Sequence, residues 1–366
     1  MSTAAERSRG AAAEPDRLAG FSSPREVERL YGHEAAEREF AEARRSGRLH
    51  HAWLLVGAEG IGKATLAYRF ARQVLAGGED VGPEHPVFRK VAALSHPNLL
   101  LIRRTWVDKS KRWSQGVLID EVRRLRGFLG HSAGEEGWRV VIVDRADELN
   151  QYAANALLKA LEEPPPRTLF LLISSAEGRL PVTIRSRTRT LRVAPLQEDD
   201  LRRAVEAAFK RDGHDADAKT LATALALSQG SVRRALELVS SEGIALYTEI
   251  AAALATLPEI DGRRLHRQVD RLAIPSENER LELYLALLLG LIERLIRFAA
   301  TGSGATQDEQ LLAGRLVSPA NLPHWAEAWE GISEARAEAF GLNLDKSLLL
   351  LETWFRLQAV AREHPV

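Results

Sequence analysis

The sequence predicts an α/β domain with a parallel sheet covered by helices on both faces, followed by a small helical domain and an all-α C-terminal domain. Three observations support this fold class. Apolar strand-like runs alternate with helical patterns from Phe21 to about Ala194, the pattern becomes helical after Pro195, and a glycine-rich turn joins the first strand to a helix. The predicted boundaries are 1–20 for a disordered tail, 21–195 for the α/β domain, 196–242 for the small helical domain and 243–366 for the C-terminal domain.

The predicted elements follow one another in a regular order. The strands are short and apolar: Trp53–Val56, Leu99–Ile102, Arg139–Val143, Leu169–Ile173 and Thr190–Val193. The helices before and between them are Glu34–Ser46, Lys63–Leu75, Leu118–Leu129 and Ala153–Glu163. Three short helices form the small domain, namely Glu198–Arg211, Ala216–Ser228 and Ser231–Ser240. The strongest helical segments of the C-terminal domain are Asn278–Ala300 and Asp345–Arg362.

Composition narrows the class of protein. The 366 residues include 50 Lys plus Arg and 50 Asp plus Glu, and a net charge of zero argues against a protein that coats nucleic acid by charge alone. The absence of cysteine excludes a disulfide framework, a thiolate zinc site and a thiol nucleophile. Residues 1–20 lack the apolar core of a signal peptide, and the longest apolar run, Leu283–Ile292, is about half a membrane span. We therefore expect a cytoplasmic protein without membrane contact.

The turn after the first strand matches the phosphate-binding pattern G-x-x-x-x-G-K. Its glycines let backbone N–H groups close around phosphate oxygens, and its lysine adds positive charge at the start of a helix. The next residue should be Ser or Thr, whose hydroxyl holds Mg²⁺, but it is Ala64, and Thr65 lies one position late. A glycine-rich turn with an accidental lysine is the alternative. The predicted nucleotide-binding residues of this turn are Gly57, Gly60, Gly62, Lys63 and Thr65.

A second element of the predicted pocket is the apolar strand that ends at Asp144, where P-loop enzymes place a carboxylate that helps to hold Mg²⁺. Many hydrolysing enzymes carry Glu at the next position to orient or deprotonate the attacking water, whereas this chain carries Arg145. A guanidinium cannot act as a general base. We predict that Asp144 is nucleotide-binding and that the chain's own ATPase activity is weak or absent. The alternative for Asp144 is a residue that caps the turn after the strand.

Two later segments resemble a known family. Residues 155–165 read Asn-Ala-Leu-Leu-Lys-Ala-Leu-Glu-Glu-Pro-Pro, and residues 180–188 read Leu-Pro-Val-Thr-Ile-Arg-Ser-Arg-Thr. Both strongly resemble the clamp-loader subunits of bacterial DNA polymerase III, which are AAA+ proteins. The resemblance covers about residues 21–240 by motifs and the helical remainder by architecture. It implies a P-loop AAA+ domain, a small helical lid domain and a C-terminal collar that joins subunits into a ring.

The two defects of the predicted pocket indicate which kind of subunit the chain resembles. Motor subunits of this family carry an intact Gly-Lys-Ser/Thr and an Asp-Glu pair, and delta subunits generally lack the Ser-Arg-Cys motif. This chain has a degraded pocket and keeps Ser186 and Arg187, with Thr188 in place of Cys, so it looks like a delta-prime subunit. The resemblance implies that Ser186 and Arg187 act in catalysis, with Arg187 projecting in trans into a neighbour's ATP site. The alternative is a surface arginine on a basic strand edge.

Two further positions resemble the family's sensors of bound nucleotide. Ser174 and Ser175 end an apolar run where the family places a polar residue that faces the γ-phosphate, and we assign nucleotide binding to Ser174. The alternative is a strand-end hydroxyl in a turn. Arg233 follows Ser231 at the start of a helix and resembles the second sensor, which faces the subunit's own pocket. A helix capped by Ser231 with a solvated arginine is the alternative there.

The resemblance implies a role in DNA replication. A delta-prime subunit acts as a stator in the ring that loads the sliding clamp onto primed DNA, so the expected partners are the gamma or tau motor subunits and the delta subunit. The clamp and DNA would be reached through this complex, and the chain would belong to the DNA polymerase holoenzyme without being its polymerase. Whether the pocket keeps ATP or ADP stays open, with weak or no Mg²⁺ binding. We expect no zinc, because the zinc-binding cysteines of many relatives are absent.

Two alternative functions stay open at this point. The chain could be an active ATPase motor subunit of the gamma/tau kind that uses Thr65 in place of Ala64. It could also be a non-enzymatic DNA-binding adaptor that uses the basic segment 103–116, which interleaves arginines and lysines with Trp106 and Trp113, together with the basic strand near 185–192. Neutral net charge weighs against the adaptor, and an exposed hairpin or loop is the favoured interpretation of segment 103–116.

Overall fold

The computed structural model describes residues 14, 16–107, 112–114, 116–130, 137–240, 243–274, 277–342 and 344–366. Its strands are β1 (Ala52–Val56), β2 (Leu99–Ile102), β3 (Trp106–Val107), β4 (Arg112–Trp113), β5 (Arg139–Val143), β6 (Thr168–Ser174) and β7 (Arg189–Arg192). The first nine helices are α1 (Glu34–Arg45), α2 (Lys63–Leu75), α3 (Pro86–Ala92), α4 (Ile119–Gly130), α5 (Gln151–Glu162), α6 (Val182–Arg185), α7 (Glu198–Asp212), α8 (Ala218–Leu227) and α9 (Val232–Ser240). They are followed by α10 (Gly243–Leu254), α11 (Gly262–Leu272), α12 (Asn278–Thr301), α13 (Gln307–Leu316), α14 (Leu322–Gly341) and α15 (Lys346–Glu363).

Five strands form one parallel sheet in the order β2-β5-β6-β1-β7. Strand β1 is central and buried along its whole length, as its uninterrupted apolar sequence predicts for a strand covered on both faces. Because all five strands run in the same direction, the turns that leave their carboxyl ends lie along one edge of the sheet. The predicted fold class, a parallel sheet with helices on both faces, is confirmed.

Side chains of the sheet alternate between two apolar cores. Trp53 and Leu55 point into one core together with Phe40 of α1 and Phe70 of α2, whose rings stack with centroids 3.8 Å apart. Leu54 points into the other core, which α4 and α5 cover. Each core removes large apolar side chains from water and so stabilises the layered arrangement. The sheet is thereby held rigid beneath the loops at its carboxyl edge.

Strands β3 and β4 pair antiparallel as a small hairpin outside the main sheet. Trp106 and Trp113 face each other across it with ring centroids 5.4 Å apart in an edge-to-face arrangement. The exposed hairpin was the favoured interpretation of the basic segment 103–116, although residues 108–111 and 115 of that segment lie outside the described residues.

The predicted tail, residues 1–20, lies largely outside the described residues. The described part, Glu14 and residues 16–20, contacts the folded domain: Glu14 pairs with Arg25, and Asp16 pairs with Arg103. These residues therefore do not extend freely from the domain. The prediction of a tail rested on composition, which does not detect ion pairs between residues far apart in the chain.

Contacts divide the chain into two compact units, Met1–Glu237 and Leu238–Val366. The second unit contains helices α10 to α15, and its longest helix, α12, has a largely buried apolar surface. Arg294 of α12 and Glu309 of α13 are both buried and form an ion pair of 2.8 Å, to which Tyr247 of α10 adds a hydrogen bond. Within the described residues, every helix is too short or too polar to cross a membrane.

Candidate functional site

The glycine-rich turn between β1 and α2 has the backbone geometry of a phosphate-binding loop. Gly60 and Gly62 have φ values of +76° and +105°, which residues other than glycine rarely adopt. Gly62 is the N-cap of α2, so the helix begins directly at Lys63. The turn and the surrounding elements line a cavity of about 600 Å³, and its lining includes Thr65, Asp144, Ser175 and Arg233. The structure therefore brings most of the sequence-predicted nucleotide residues together.

Lys63 is directed back into its own loop. Its Nζ donates hydrogen bonds to Gly57 O at 2.8 Å, Ala58 O at 2.6 Å and Ser175 Oγ at 3.0 Å. The side chain is 5% exposed, so solvent competes little for these bonds. The ammonium group thus uses its three hydrogen-bond donors within the protein, where a nucleotide phosphate would have to displace carbonyl oxygens to bind it.

Burial also weakens the charge of this lysine. Loss of hydration lowers the pKa of Lys63 to about 8, and the carboxylates of Glu59, Asp147 and Asp144 limit the fall. The group is still mostly protonated at neutral pH. Burial therefore has the largest effect on the pKa of Lys63, and four nearby charged groups, including Arg145, have smaller effects.

The positions that would hold Mg²⁺ fit the ion poorly. Ala64 presents a methyl group where the motif needs an oxygen ligand. Burial and, to a smaller extent, the Asp16 carboxylate raise the pKa of Asp144 to about 6, so this carboxyl binds protons in a range where free aspartates are ionised. Thr65 lines the cavity one residue later. The side chains at these positions therefore form an incomplete set of oxygen ligands for Mg²⁺.

Arg145 occupies the position after Asp144 in a left-handed conformation with φ of 51°. Its guanidinium donates to Glu148 Oε1 at 2.8 Å and pairs with Glu59 of the glycine-rich turn. Burial opposes ionisation, but Glu59 and Glu148 raise the pKa of this guanidinium above its ordinary value. A permanently charged arginine therefore links the loop to the strand end where a hydrolytic enzyme needs a base.

The two serines at the end of β6 lie in different surroundings, and the sensor role of Ser174 stays a prediction. Ser174 is fully buried, and its hydroxyl accepts a hydrogen bond from Ala176 N. It is Ser175 whose hydroxyl reaches Lys63, and the Ser175 N–H donates to Asp147 Oδ1 at 3.1 Å. The strand extends one residue farther than its apolar pattern indicates, so the second serine rather than the first leaves the sheet at the pocket.

The start of α9 packs directly on the glycine-rich turn. Arg233 N donates to Gly60 O at 3.2 Å, and Ser231 Oγ donates to Glu59 O at 3.0 Å. The Arg233 guanidinium donates to Glu237 at 2.7 Å and to the carbonyl oxygen of Asp16 at 3.4 Å. The prediction that Arg233 faces the subunit's own pocket agrees with this placement, while its role in sensing nucleotide stays a prediction.

Arg187 lies outside this pocket, on an exposed surface after α6. Its side chain is 37% exposed, pairs with Glu162 at 2.9 Å and donates to Thr183 O at 3.0 Å. Ser186 donates to the same carbonyl oxygen at 3.1 Å. Arg187 is therefore held at the surface by groups at the ends of two helices and is not folded into its own core.

Several pocket residues were missed by sequence reasoning. Asp16 lines the cavity from the N-terminal segment, Asp147 holds Ser175, and the His33 ring donates from Nε2 to Ile61 O at 2.8 Å. The only sequence signal for Asp147 was its position three residues after Asp144. Asp16 and His33 lie far from the motif in sequence, and no spacing pattern links them to it.

The parallel sheet and the glycine-rich loop between β1 and α2 define an α/β domain with a phosphate-binding type of loop, and helical segments follow it. Residues 32–197 match the family model described as DNA polymerase III, delta subunit. The chain is 39% identical over 140 residues to the DNA polymerase III subunit delta' of Pseudomonas aeruginosa, an alignment that covers 37% of this chain and 41% of the relative.

Two further relatives are similar over a longer part of the chain. The delta' subunit of Haemophilus influenzae is 29% identical, with 60% of this chain and 68% of the relative covered. The gamma subunit of Buchnera aphidicola (from Schizaphis graminum) is 26% identical, with 59% and 58% covered. The chain thus spans from 41% to 68% of these relatives' lengths. Its sequence is thus similar, over part of its length, to delta' and gamma subunits of DNA polymerase III.

Proposed function

We propose that this chain is the delta-prime stator of a clamp loader and that it supplies Arg187 in trans to a neighbouring ATPase subunit while the sliding clamp is loaded onto primed DNA. The observation that carries the proposal is the contrast between two cations. Lys63 is bound by carbonyl oxygens of its own loop, whereas Arg187 is presented at the surface. Lys63 is thus engaged within its own loop, whereas Arg187 is exposed where a neighbouring subunit could contact it.

The chemistry of an arginine suits this role. A planar guanidinium donates two parallel hydrogen bonds to phosphate oxygens and stays charged at any physiological pH. Placed beside a phosphoryl group in transfer, it stabilises the charge that develops, and such arginines contribute about 10³–10⁵ in rate. The Glu162 partner orients the side chain without burying it. An exposed ion pair of this kind costs little to break, so Arg187 can exchange Glu162 for phosphate.

The chain's own pocket is proposed to be hydrolytically weak or inactive. Ala64 removes a metal ligand, Arg145 replaces a carboxylate base, and Lys63 is engaged within the loop. The expected partners are gamma or tau motor subunits and a delta subunit in the cytoplasm, with clamp and DNA reached through the assembled complex. The helices of residues 243–366 would form the collar that joins the subunits.

Replacement of Arg187 in the reconstituted complex tests the proposal. In the Arg187→Ala variant, hydrolysis at the neighbouring ATPase site should slow by about 10³-fold. The pre-steady-state burst of DNA- and clamp-stimulated hydrolysis should therefore lose the contribution of that one site. The Arg187→Lys variant should recover little, because an ammonium group lacks the planar fork.

The matched control is Arg192→Ala, which removes another exposed, ion-paired arginine; that side chain pairs with Glu177. Size-exclusion chromatography first verifies that each variant enters the complex. An unchanged burst and turnover in the Arg187→Ala complex would exclude the trans role.

An active motor subunit is the second candidate, since Thr65 lines the pocket and gamma subunits are among the relatives. Isothermal titration and a phosphate-release assay on the full chain separate the two. Tight Mg·ATP binding with steady turnover would identify a motor, whereas a stator gives no turnover above background.

The DNA-binding adaptor is less well supported. Two arginines of the basic segment are already paired within the protein, Arg103 with Asp16 at 2.6 Å and Arg104 with Glu148 at 3.2 Å. Lys109 and Lys111 lie outside the described residues. Binding of DNA by the chain alone, with affinity that falls steeply as salt rises, would be needed to support this function.

A further inference from the structure

Two carboxylates from the N-terminal segment are bound by arginines of the folded domain, and one of the two, Asp16, lines the candidate pocket. Glu14 accepts hydrogen bonds from Arg25 at 2.5 Å and 2.9 Å, and Asp16 accepts one from Arg103 at 2.6 Å. The side chains of Glu14 and Asp16 are 17% and 8% exposed. Segment and domain are therefore joined by charge-assisted hydrogen bonds that are partly shielded from solvent.

Asp16 is one of the residues that line the cavity. It lines the same space as Lys63, Asp144 and Arg233, and its carbonyl oxygen accepts from Arg233 Nη1 at 3.4 Å. Its carboxylate is near enough to Asp144 to disfavour ionisation of that carboxyl. A negative charge therefore already occupies the region between the strand end and the second sensor.

We propose that Glu14 and Asp16 form an acidic plug that excludes the phosphates of a nucleotide, and that Arg103 and Arg233 form the anion site beneath it. The proposal rests on the nucleotide-type pocket of the proposed function. In this proposal the two carboxylates compete with nucleotide phosphates. Nucleotide binding is therefore opposed by their negative charge as well as weakened by the missing metal ligand. The ligand class is a nucleoside di- or triphosphate.

The receptor for the plug is preformed. The Arg25 guanidinium also donates to Ala92 O and Ser23 Oγ, each at 2.7 Å, and its own carbonyl oxygen accepts from Arg72. The Arg25 side chain is thus also held by contacts that do not involve Glu14, and such contacts lower the entropic cost of holding the segment.

The described side-chain contacts of Arg103 are different, because they go to the two plug carboxylates. A guanidinium binds carboxylate and phosphate through the same planar fork. Removal of the plug charges therefore leaves Arg103 without a counter-charge next to Asp16, a residue that lines the pocket, and a phosphate group can take the place of the carboxylate.

The test is the affinity of the full chain for a fluorescent ATP analogue, measured with and without Mg²⁺. The double variant Glu14→Gln/Asp16→Asn should bind at least about tenfold tighter than the unmodified chain, which corresponds to about 1.4 kcal/mol of removed repulsion. The matched control, Asp120→Asn/Glu121→Gln, removes the same charge from ion pairs on α4 and should leave the affinity unchanged. Equal affinities for the plug variant and the unmodified chain would refute the plug.

Three additional variants make the result specific. Lys63→Ala added to the plug variant should abolish the gain, because the gain is expected to come from the P-loop pocket; a gain that persists would refute the proposed site. Each single variant, Glu14→Gln and Asp16→Asn, should raise the affinity for the ATP analogue severalfold. The test therefore remains possible if only one of the two single variants folds. None of these changes touches Arg187, so failure of the plug leaves the burst experiment on Arg187 as an independent test of the stator function.

Discussion

Burial moves the pKa values of Lys63 and Asp144 toward each other, to about 8 and about 6. In both cases the largest cause is loss of hydration, which disfavours the charged form of either sign. Their mutual attraction offsets part of this cost but not all of it. At the scale of the residue, the pocket therefore holds two groups that are ionised at neutral pH at the expense of stability.

Replacement of Asp144 by Asn should stabilise the first unit in a pH-dependent way. The folded-state pKa of Asp144 is raised, so its favourable contribution exists below about pH 4 and is lost as pH rises through about 6. The Asn variant should match the unmodified chain near pH 4 and exceed it by about 2 kcal/mol at pH 8. Urea unfolding at the two pH values measures the difference.

Asp217→Asn provides the control of opposite sign. Asp217 caps α8, and hydrogen bonds from Thr220 hold its pKa below the ordinary value. Its contribution to stability is present above the unfolded-state pKa and is lost as pH falls. The Asn variant should therefore be less stable than the unmodified chain at pH 8, and this difference should shrink at acidic pH. The same pH trend in both variants would contradict this account of the pocket.

Single residues of the site differed in how readily the sequence predicted them. Ala64 and Arg145 follow from fixed offsets within local motifs, and the structure places them as those offsets require. Ser175 was not separated from Ser174, because strand ends are uncertain by a residue or more and adjacent side chains point to opposite faces. Asp16 could not be predicted, since its contact with Arg103 links distant residues without any periodic pattern.

At the scale of elements, the start of α9 closes against the glycine-rich turn with little space between them. A Cβ added at Gly60 would lie 2.6 Å from Arg233 Cβ, a distance that packed side chains do not tolerate. The same residue has φ of +76°, so a side chain there would also strain the backbone. Glycine is needed at this position for two separate reasons, and comparison with a second glycine can measure them apart.

Gly60→Ala should destabilise the first unit more than Gly77→Ala does. Gly77 has the same φ of +76°, but a Cβ added there meets nothing within 4 Å, so it reports backbone strain alone. We expect about 1 kcal/mol for Gly77→Ala and about 2–3 kcal/mol more for Gly60→Ala, because α9 must shift. Thermal and urea unfolding of the two variants give the comparison, and equal losses would mean that α9 does not press on the turn.

The elements themselves were largely predictable. Strands β2 and β5 and helix α2 have the predicted bounds, because buried parallel strands and amphipathic helices have strong apolar patterns. The short elements were missed: α3 falls beside a glycine-rich acidic loop, and α6 has only four residues. Such segments bury too little apolar surface to produce a periodic signal, and their conformation depends on the neighbours they contact.

At the scale of the whole molecule, the two units are stabilised by different kinds of interior. The first has a sheet between two apolar cores, whereas the second buries an ion pair among its helices. Arg294 and Glu309 are 3% and 2% exposed, and Glu309 also accepts hydrogen bonds from Tyr247 and from Thr306 N. A buried pair with these additional bonds fixes how α10, α12 and α13 pack, even where it adds little net stability.

Glu309→Ala should therefore cost the second unit about 3–5 kcal/mol, because it leaves the Arg294 guanidinium buried without a counter-charge. The double variant Arg294→Met/Glu309→Leu should cost clearly less, since it replaces both charges by apolar groups of similar size. Peptide-resolved hydrogen exchange in urea should assign both losses to residues 238–366 and leave 1–237 unaffected. If the double variant loses as much as the single one, the pair itself stabilises the unit and its role is not confined to orienting the helices.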